Sequence, residues 1–234
     1  MTAMPQTSPD GHAVHDDVWV VVPLFNEAAV IADVIADVRT VFPHVVCVDD
    51  GSTDASADRA EAAGAVVVRH AVNLGQGASL QTGITYALRQ GAKYLVTFDA
   101  DGQHQLVDAV GMVGLAEKED LGIVFGSRFL DSRTDPGFLK SVVLRTAVWF
   151  TRHSTGLRLT DAHNGLRVLR ADAARAVHLR QDRMAHASEI VLQLGRTKLP
   201  WREYPVHVLY TDYSKAKGQS LWNAVNILID LMVN

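Results

Sequence analysis

Five short apolar runs, each rich in β-branched side chains, set the strongest limit on what this chain can fold into: VWVVV (18–22), VVCV (45–48), AVVVR (65–69), YLVTF (94–98) and GIVFG (122–126). Runs of four or five residues without polar alternation fit strands buried on both faces, as in a parallel sheet. The segments between them have the other period. Val30, Ile31, Val34, Ile35 and Val38 recur on one face of a helix, STDASADRAEAAG opens on capping residues and closes on Gly64, and GASLQTGITYALRQG fills the next connection. Strand and helix thus alternate. The alternation predicts an α/β fold: a Rossmann-like, mostly parallel sheet flanked by helices on both faces, in a single domain.

Sheets of this kind bind ligands outside the carboxyl ends of their strands, and the polar residues gather there. PLFNE follows the first run, DDGSTD the second and DADGQH the fourth. DDGS by itself reads first as a turn and helix cap, but three acid-bearing strand ends in one sheet point to a shared crevice. Asp99 and Asp101 stand at i and i+2, on the same side of an extended chain, so their carboxylates face one small volume. Two such groups either share a proton or hold a cation. Gln103 offers a further oxygen, and His104 can orient or bind substrate. An all-oxygen donor set selects a hard divalent cation, Mg²⁺ or Mn²⁺, of the kind that bridges protein carboxylates to a substrate diphosphate and improves it as a leaving group.

Several other chemistries lack their residues. The dinucleotide fingerprint has Leu80 in place of its third glycine in the stretch beginning LGQGAS, no glycine is followed by lysine as a Walker A loop requires, and no G-x-S-x-G elbow occurs. A phosphorelay receiver also gathers acids at strand ends, but it leaves the second half of the chain unexplained. Charge is uneven: residues 1–126 hold 6 Lys/Arg against 17 Asp/Glu, and residues 127–183 hold 11 against 5. The acidic first half argues against nucleic-acid binding, while the basic middle suits a phosphate, an anionic surface or a plain solvated face. Cys47 is the sole cysteine, so no intrachain disulfide forms and a reducing, cytoplasmic setting is expected. Residues 1–16 read as a disordered tail without the basic start and apolar core of a signal peptide. No apolar run reaches the roughly 18–20 residues that span a bilayer.

VVPLFNE, VDDGSTD, NLGQGASLQTGI and FDADGQH, in this order, resemble family 2 glycosyltransferases of the GT-A fold. The later FGSRF, TDAHNGLRVLR and ASEI resemble the branch that contains dolichol-phosphate mannose synthase and bacterial polyprenyl-phosphate sugar transferases. The likeness runs from about residue 18 to residue 220. It implies a nucleotide-sugar half (17–127), an acceptor half (128–220) and a C-terminal amphipathic helix (221–234). By position, Pro23, Asn26, Glu27 and Asp50 match the family's nucleotide pocket, and Asp99, Asp101 and Gln103 its metal and diphosphate site. Arg128 and Arg167 match basic positions near acceptor phosphate and diphosphate, Asp161 opens the segment that holds Arg167, and Glu189 matches a recurring acid. An ion pair with Asp131 is the bland alternative for Arg128. The chain departs from the family pattern at Leu166, where GLR replaces GFR, and in YTDYSKAKGQS, where an expected arginine is missing and Lys215 or Lys217 would take its place.

The resemblance implies inverting transfer of a sugar from UDP-glucose, UDP-N-acetylglucosamine or GDP-mannose to a polyprenyl phosphate on the cytoplasmic membrane face, in cell-envelope synthesis. A phosphate acceptor is already ionised near neutral pH, its second pKa being about 6, so the protein has to align and neutralise rather than deprotonate. The alternative acceptor is a sugar hydroxyl, with Asp161 or Glu189 as base. GFLKSVVLRTAVWFTR (137–152) mixes large apolar residues with Lys140, Arg145 and Arg152, as an interfacial helix on anionic lipid would. LWNAVNILIDLMVN (221–234) has a wide apolar face without positive charge, suited to the protein's own core or to a small transmembrane partner. A homo-oligomer is compatible with the sequence.

Overall fold

All five expected strands form in the computed structural model, which describes residues 15–130, 157–180 and 185–209. They are β1 (Val18–Leu24), β2 (His44–Asp49), β3 (Val66–Arg69), β4 (Tyr94–Thr97) and β5 (Ile123–Ser127), and two more join them, β6 (Arg167–Arg170) and β7 (Trp201–Pro205). The helices are α1 (Ile31–Arg39), α2 (Ser56–Ala62), α3 (Gln76–Arg89), α4 (Leu106–Lys118), α5 (Ala171–Arg175) and α6 (Ala185–Arg196). The strands make one sheet in the order β3-β2-β1-β4-β6-β5-β7. Every pairing is parallel except the two made by β6, which runs against both β4 and β5.

The pleat of β1 shows how the sheet divides its side chains. Val18, Val20 and Val22 enter one core with Ile31, Ile35 and Val38 of α1 and Met112 and Val113 of α4; Trp19 and Val21 enter the other with Leu80 and Ile84 of α3 and Ile190, Val191 and Leu194 of α6. Helices therefore cover both faces, as the strand–helix alternation requires. Cys47 lies inside the first core, where burial pushes its thiol well above the ordinary range and leaves it unreactive.

Three features depart from the sequence reading. RVLR at 167–170 is short and bracketed by arginines, so it carries no strand signal of its own, and it forms β6 because β4 and β5 supply both its neighbours. WREYP likewise carries no strand named in the sequence reading, yet it forms β7, parallel to β5 at the edge of the sheet. His15, assigned to the tail, donates its backbone N–H to Val41 at 3.2 Å and sets its ring 5.6 Å from that of Phe42. The rest of that tail, the 137–152 stretch and the C-terminal 221–234 helix lie outside the described residues.

The antiparallel sense of β6 positions the site. An antiparallel strand begins where its parallel neighbours end, so Arg167 is paired with Thr97 at the carboxyl end of β4, two residues before Asp99. The preceding turn is tied down by the Thr97 hydroxyl, which donates to the Gly165 carbonyl at 2.6 Å.

On the other face α3 lies directly on the sheet. A Cβ added at Gly83 would sit 2.4 Å from Val21 Cγ1 and 3.3 Å from Val48 Cγ2. Gly83→Ala should therefore lower the unfolding free energy by about 1–3 kcal/mol through overpacking, as read from urea denaturation. Adding Val21→Ala should recover part of the loss.

Candidate active site

A crevice of about 530 Å³ opens at the carboxyl ends of β1, β2 and β4. Its walls come from each strand-end motif: Pro23, Phe25 and Glu27 after β1, Asp50 after β2, Asn73, Gly75, Gln76 and Ser79 around the start of α3, and Asp99 and Asp101 after β4. His163, Gly165 and Arg167 close it from the β6 side, and His186 from α6.

The end of the crevice at β1 and β2 is built by loops that hold one another. Asn26, at a positive φ of 55°, donates its backbone N–H to Ser52 Oγ at 3.0 Å and accepts the Thr53 N–H through Oδ1 at 2.9 Å. Glu27 N–H donates to Ser56 Oγ at 2.7 Å. Asp50 is buried and accepts the N–H groups of Leu74 at 2.9 Å and Gly75 at 2.7 Å, with His70 Nδ1 at 2.8 Å from its Oδ1. Asp50 thereby fixes the glycine turn at the mouth of α3. Gly75 has φ 95°, a conformation an L side chain resists. Of the expected nucleotide residues, Pro23, Glu27 and Asp50 line the crevice, whereas Asn26 braces the loops behind it.

The acid pair sits at the centre. Asp99 Oδ2 is 2.9 Å from His104 Nε2, and Oδ1 accepts Gln76 Nε2 at 3.3 Å. Asp101 accepts the Gln103 backbone N–H at 3.0 Å and its side-chain Nε2 at 2.8 Å. Burial pushes Asp99 upward, but His104, Arg167 and His186 outweigh it and hold this carboxyl below its ordinary value. Burial and the charge of Asp99 push Asp101 above its own. His104 and the Gln103 N–H pull Asp101 back, but less than burial and Asp99 push it up, so a deficit of positive charge remains there of the kind a divalent cation would satisfy. Asp99 and Asp101 line the crevice with oxygen donors of the kind Mg²⁺ or Mn²⁺ takes, whereas Gln103 is not among the lining residues and turns its amide N–H toward Asp101.

Arg167 is the most consequential basic residue. It is 2% exposed, its side chain makes, among the described residues, one hydrogen bond, a long 3.5 Å contact from Nη1 to the Gly165 carbonyl, and Nη2 has no partner there. Burial brings its pKa down to about 10 against the pull of Asp99 and Asp161, so the guanidinium stays charged at neutral pH. A buried cation with an unanswered donor beside the crevice calls for an anion.

Arg128 has a different setting. Its guanidinium grips Asp161 through Nε at 2.6 Å and Nη2 at 2.9 Å, and its backbone N–H donates to the same carboxylate at 3.2 Å. Asp161 is 1% exposed in its side chain, and neither residue lines the crevice. Burial raises the Asp161 carboxyl and Arg128 more than reverses the effect, leaving it below the ordinary range. Glu189, on α6, accepts the Arg180 backbone N–H at 3.0 Å and also lies outside the crevice lining. Lys140, Arg145, Lys215, Lys217 and Asp131 lie outside the described residues. His163, His186, Asn73, Gln76 and Ser79 were not expected at the site; Gln76 and Ser79 belong to the NLGQGAS stretch, and His163 to the turn before GLR.

The model of Glycosyl transferase family 2 matches residues 19–177, a span that includes every strand-end motif of the crevice. The chain belongs to glycosyltransferase family 2. An uncharacterized protein of Methanocaldococcus jannaschii is 33% identical to this glycosyltransferase over 93% of the chain and 92% of its own length. UDP-N-acetylglucosamine–dolichyl-phosphate N-acetylglucosaminyltransferase of Methanococcus voltae is 26% identical over 92% of this chain and 95% of its own. Among solved structures, glucosyl-3-phosphoglycerate synthase of Mycobacterium tuberculosis with Mn²⁺ and UDP-glucose superposes with a TM-score of 0.65, covering 92% of this chain and 77% of that one at 20% identity. The glycosyltransferase has the GT-A type of fold.

Two outcomes test this geometry. A Cβ at Gly165 would lie 2.3 Å from Asp99 Oδ2 and 2.9 Å from its Cγ. Gly165→Ala should cut Mn²⁺ affinity in calorimetry by about tenfold or more, the scale of losing support to a ligand, with the far-ultraviolet circular dichroism unchanged. Arg128→Ala strands a buried carboxylate and should lower stability by about 3–5 kcal/mol, most of it recovered by adding Asp161→Ala. Because Asp161 is held low, the pair's contribution is complete above about pH 4 and drains away as pH falls through the lower folded value. The deficit of Arg128→Ala in denaturant should shrink over the same acid range.

Proposed function

We propose that this glycosyltransferase moves a hexose from a nucleotide diphosphate sugar to a polyprenyl phosphate at a membrane surface, with inversion at the anomeric carbon. The observation that carries the reading is Arg167: a buried guanidinium with an unanswered Nη2, lining the same crevice as the acid pair. The relative from Methanococcus voltae is named for a dolichyl-phosphate acceptor, and an undecaprenyl-phosphate mannosyltransferase of Micrococcus luteus is 29% identical over 69% of this chain. Both names support a lipid-phosphate acceptor.

The residues divide the work. Pro23, Glu27 and the Asp50-braced turn at Gly75 receive the nucleoside. Asp99 and Asp101 would hold Mg²⁺ or Mn²⁺. That cation supplies neutralisation of the departing diphosphate when bound. Arg167 holds a phosphate oxygen beside it, so that the acceptor oxygen is aligned behind the sugar and its charge is balanced. No proton has to be removed from a phosphate acceptor.

The hydroxyl alternative needs a base. Asp161 is committed to Arg128 and Glu189 faces the Arg180 backbone, so neither of the acids considered for that task borders the crevice. Placement of the protein at a membrane follows from the acceptor; among the described residues no helix is long and apolar enough to cross one. A membrane-embedded partner would dock on segments beyond those residues.

Purified protein assayed with UDP-glucose, UDP-N-acetylglucosamine and GDP-mannose against a polyprenyl phosphate should form a glycolipid with one of them. EDTA should abolish transfer, and Asp101→Asn should do the same in the folded protein. Arg167→Gln should lower kcat/KM by about 10²-fold or more, as removal of a charge-stabilising donor does. Faster transfer to the free polyprenol or to an oligosaccharide hydroxyl would overturn the lipid-phosphate reading.

A further inference from the structure

We propose that His163 is an acceptor-phosphate ligand that takes up a proton as the phosphate binds, adding to the permanent charge of Arg167 a second positive charge that appears only on loading. The inference rests on the polyprenyl-phosphate reading and names a residue and a protonation event within it.

His163 lies in the turn DAHNG, between Asp161 and the start of β6, and lines the crevice together with Arg167 and His186. It is half-buried and enters no hydrogen bond or ion pair among the described residues. Two other histidines at this end of the sheet have clear local work: His104 holds Asp99, and His70 bridges Asp50 and Thr82. His163 therefore lines the crevice without a structural task of that kind.

Its surroundings decide its charge. Asp161 faces it from its own turn, Arg128 from just past the end of β5, Arg167 from β6 and His186 from α6. Burial pushes its pKa below the ordinary value; Asp161 pulls it back up, but Asp161 is already answered by Arg128, and Arg167, Arg128 and His186 add to the depression. The ring is accordingly neutral in the empty crevice at neutral pH. A second permanent cation there would repel Arg167. A phosphate monoester reverses the balance, because above its second pKa of about 6 it brings close to two negative charges. Those charges favour the imidazolium, whose N–H then donates a charge-assisted hydrogen bond to a phosphate oxygen. The proton passes from buffer to the ring nitrogen and no covalent bond is made or broken.

The test is calorimetric titration of the holoprotein, loaded with Mn²⁺ and nucleoside diphosphate, with farnesyl phosphate at pH 7.5 in two buffers of different ionisation enthalpy. At that pH the ligand is already doubly ionised, so buffer-dependent heat reports a proton taken up by the protein. Wild type should show such uptake and His163→Gln should not. In steady-state assays His163→Gln should raise the KM for farnesyl phosphate by about tenfold or more, the scale of a lost charge-assisted bond, while the Kd for the nucleotide sugar stays within about twofold. That unchanged donor affinity certifies the fold of the variant. Farnesyl phosphate that binds wild type without proton uptake, or a parallel loss of donor affinity in His163→Gln, overturns the role of His163 and leaves the acceptor class standing. If wild type ignores farnesyl phosphate but glycosylates a sugar hydroxyl, the acceptor reading itself falls; a drop in kcat for His163→Gln in that reaction would make the neutral imidazole its base.

Discussion

Two carboxylates on one side of a strand end repel each other, and much of the site is arranged around that repulsion. Asp99 is quieted by protein groups, His104 and Gln76 through hydrogen bonds and Arg167 through space. Asp101 accepts the two N–H groups of Gln103 and feels His104 through space, which together fall short of burial and the charge of Asp99. The asymmetry leaves a deficit of positive charge at a defined point, which a divalent cation would remove. The same centre explains Gly165. Any side chain there would occupy the volume of the Asp99 carboxylate.

Around this centre the sheet sorts its ends by charge. The β1 and β2 ends contribute backbone amides, serines and acids that brace one another, an arrangement with enough internal hydrogen bonds to keep its shape without ligand. The β6 end contributes Arg167, His163 and Gly165, with much less internal bonding. One side is preorganised by the chain, and the other waits for an anion.

How much of this can be read from the sequence depends on how local the cause is. The five parallel strands are local: each is a β-branched run bounded by helix-period segments. The acid pair is local as well, because i and i+2 on a strand end must converge. Asp50 was readable as a crevice residue, but its bonds to Leu74 and Gly75 join positions 24 and 25 residues away. Arg128 shows the limit most clearly. By resemblance it faced a phosphate, and its grip on Asp161 spans 33 residues with no pattern to announce it. β6 escaped notice for a related reason: four residues that begin and end in arginine become a strand because β4 and β5 stand ready on either side.

That late central strand also bears on how the chain comes together. β4 and β5 do not touch through their own ladders; each presents an open edge until residues 167–170 arrive between them. A nascent chain thus carries two exposed strand edges in the middle of its sheet for some 40 residues of further synthesis after β5 ends at Ser127. Edges of this sort pair with whatever strand is offered, including those of another copy. The residue that makes the crevice fit for an anion is therefore carried by the segment that seals the sheet, and fragments ending before it would be prone to self-association as well as inactive.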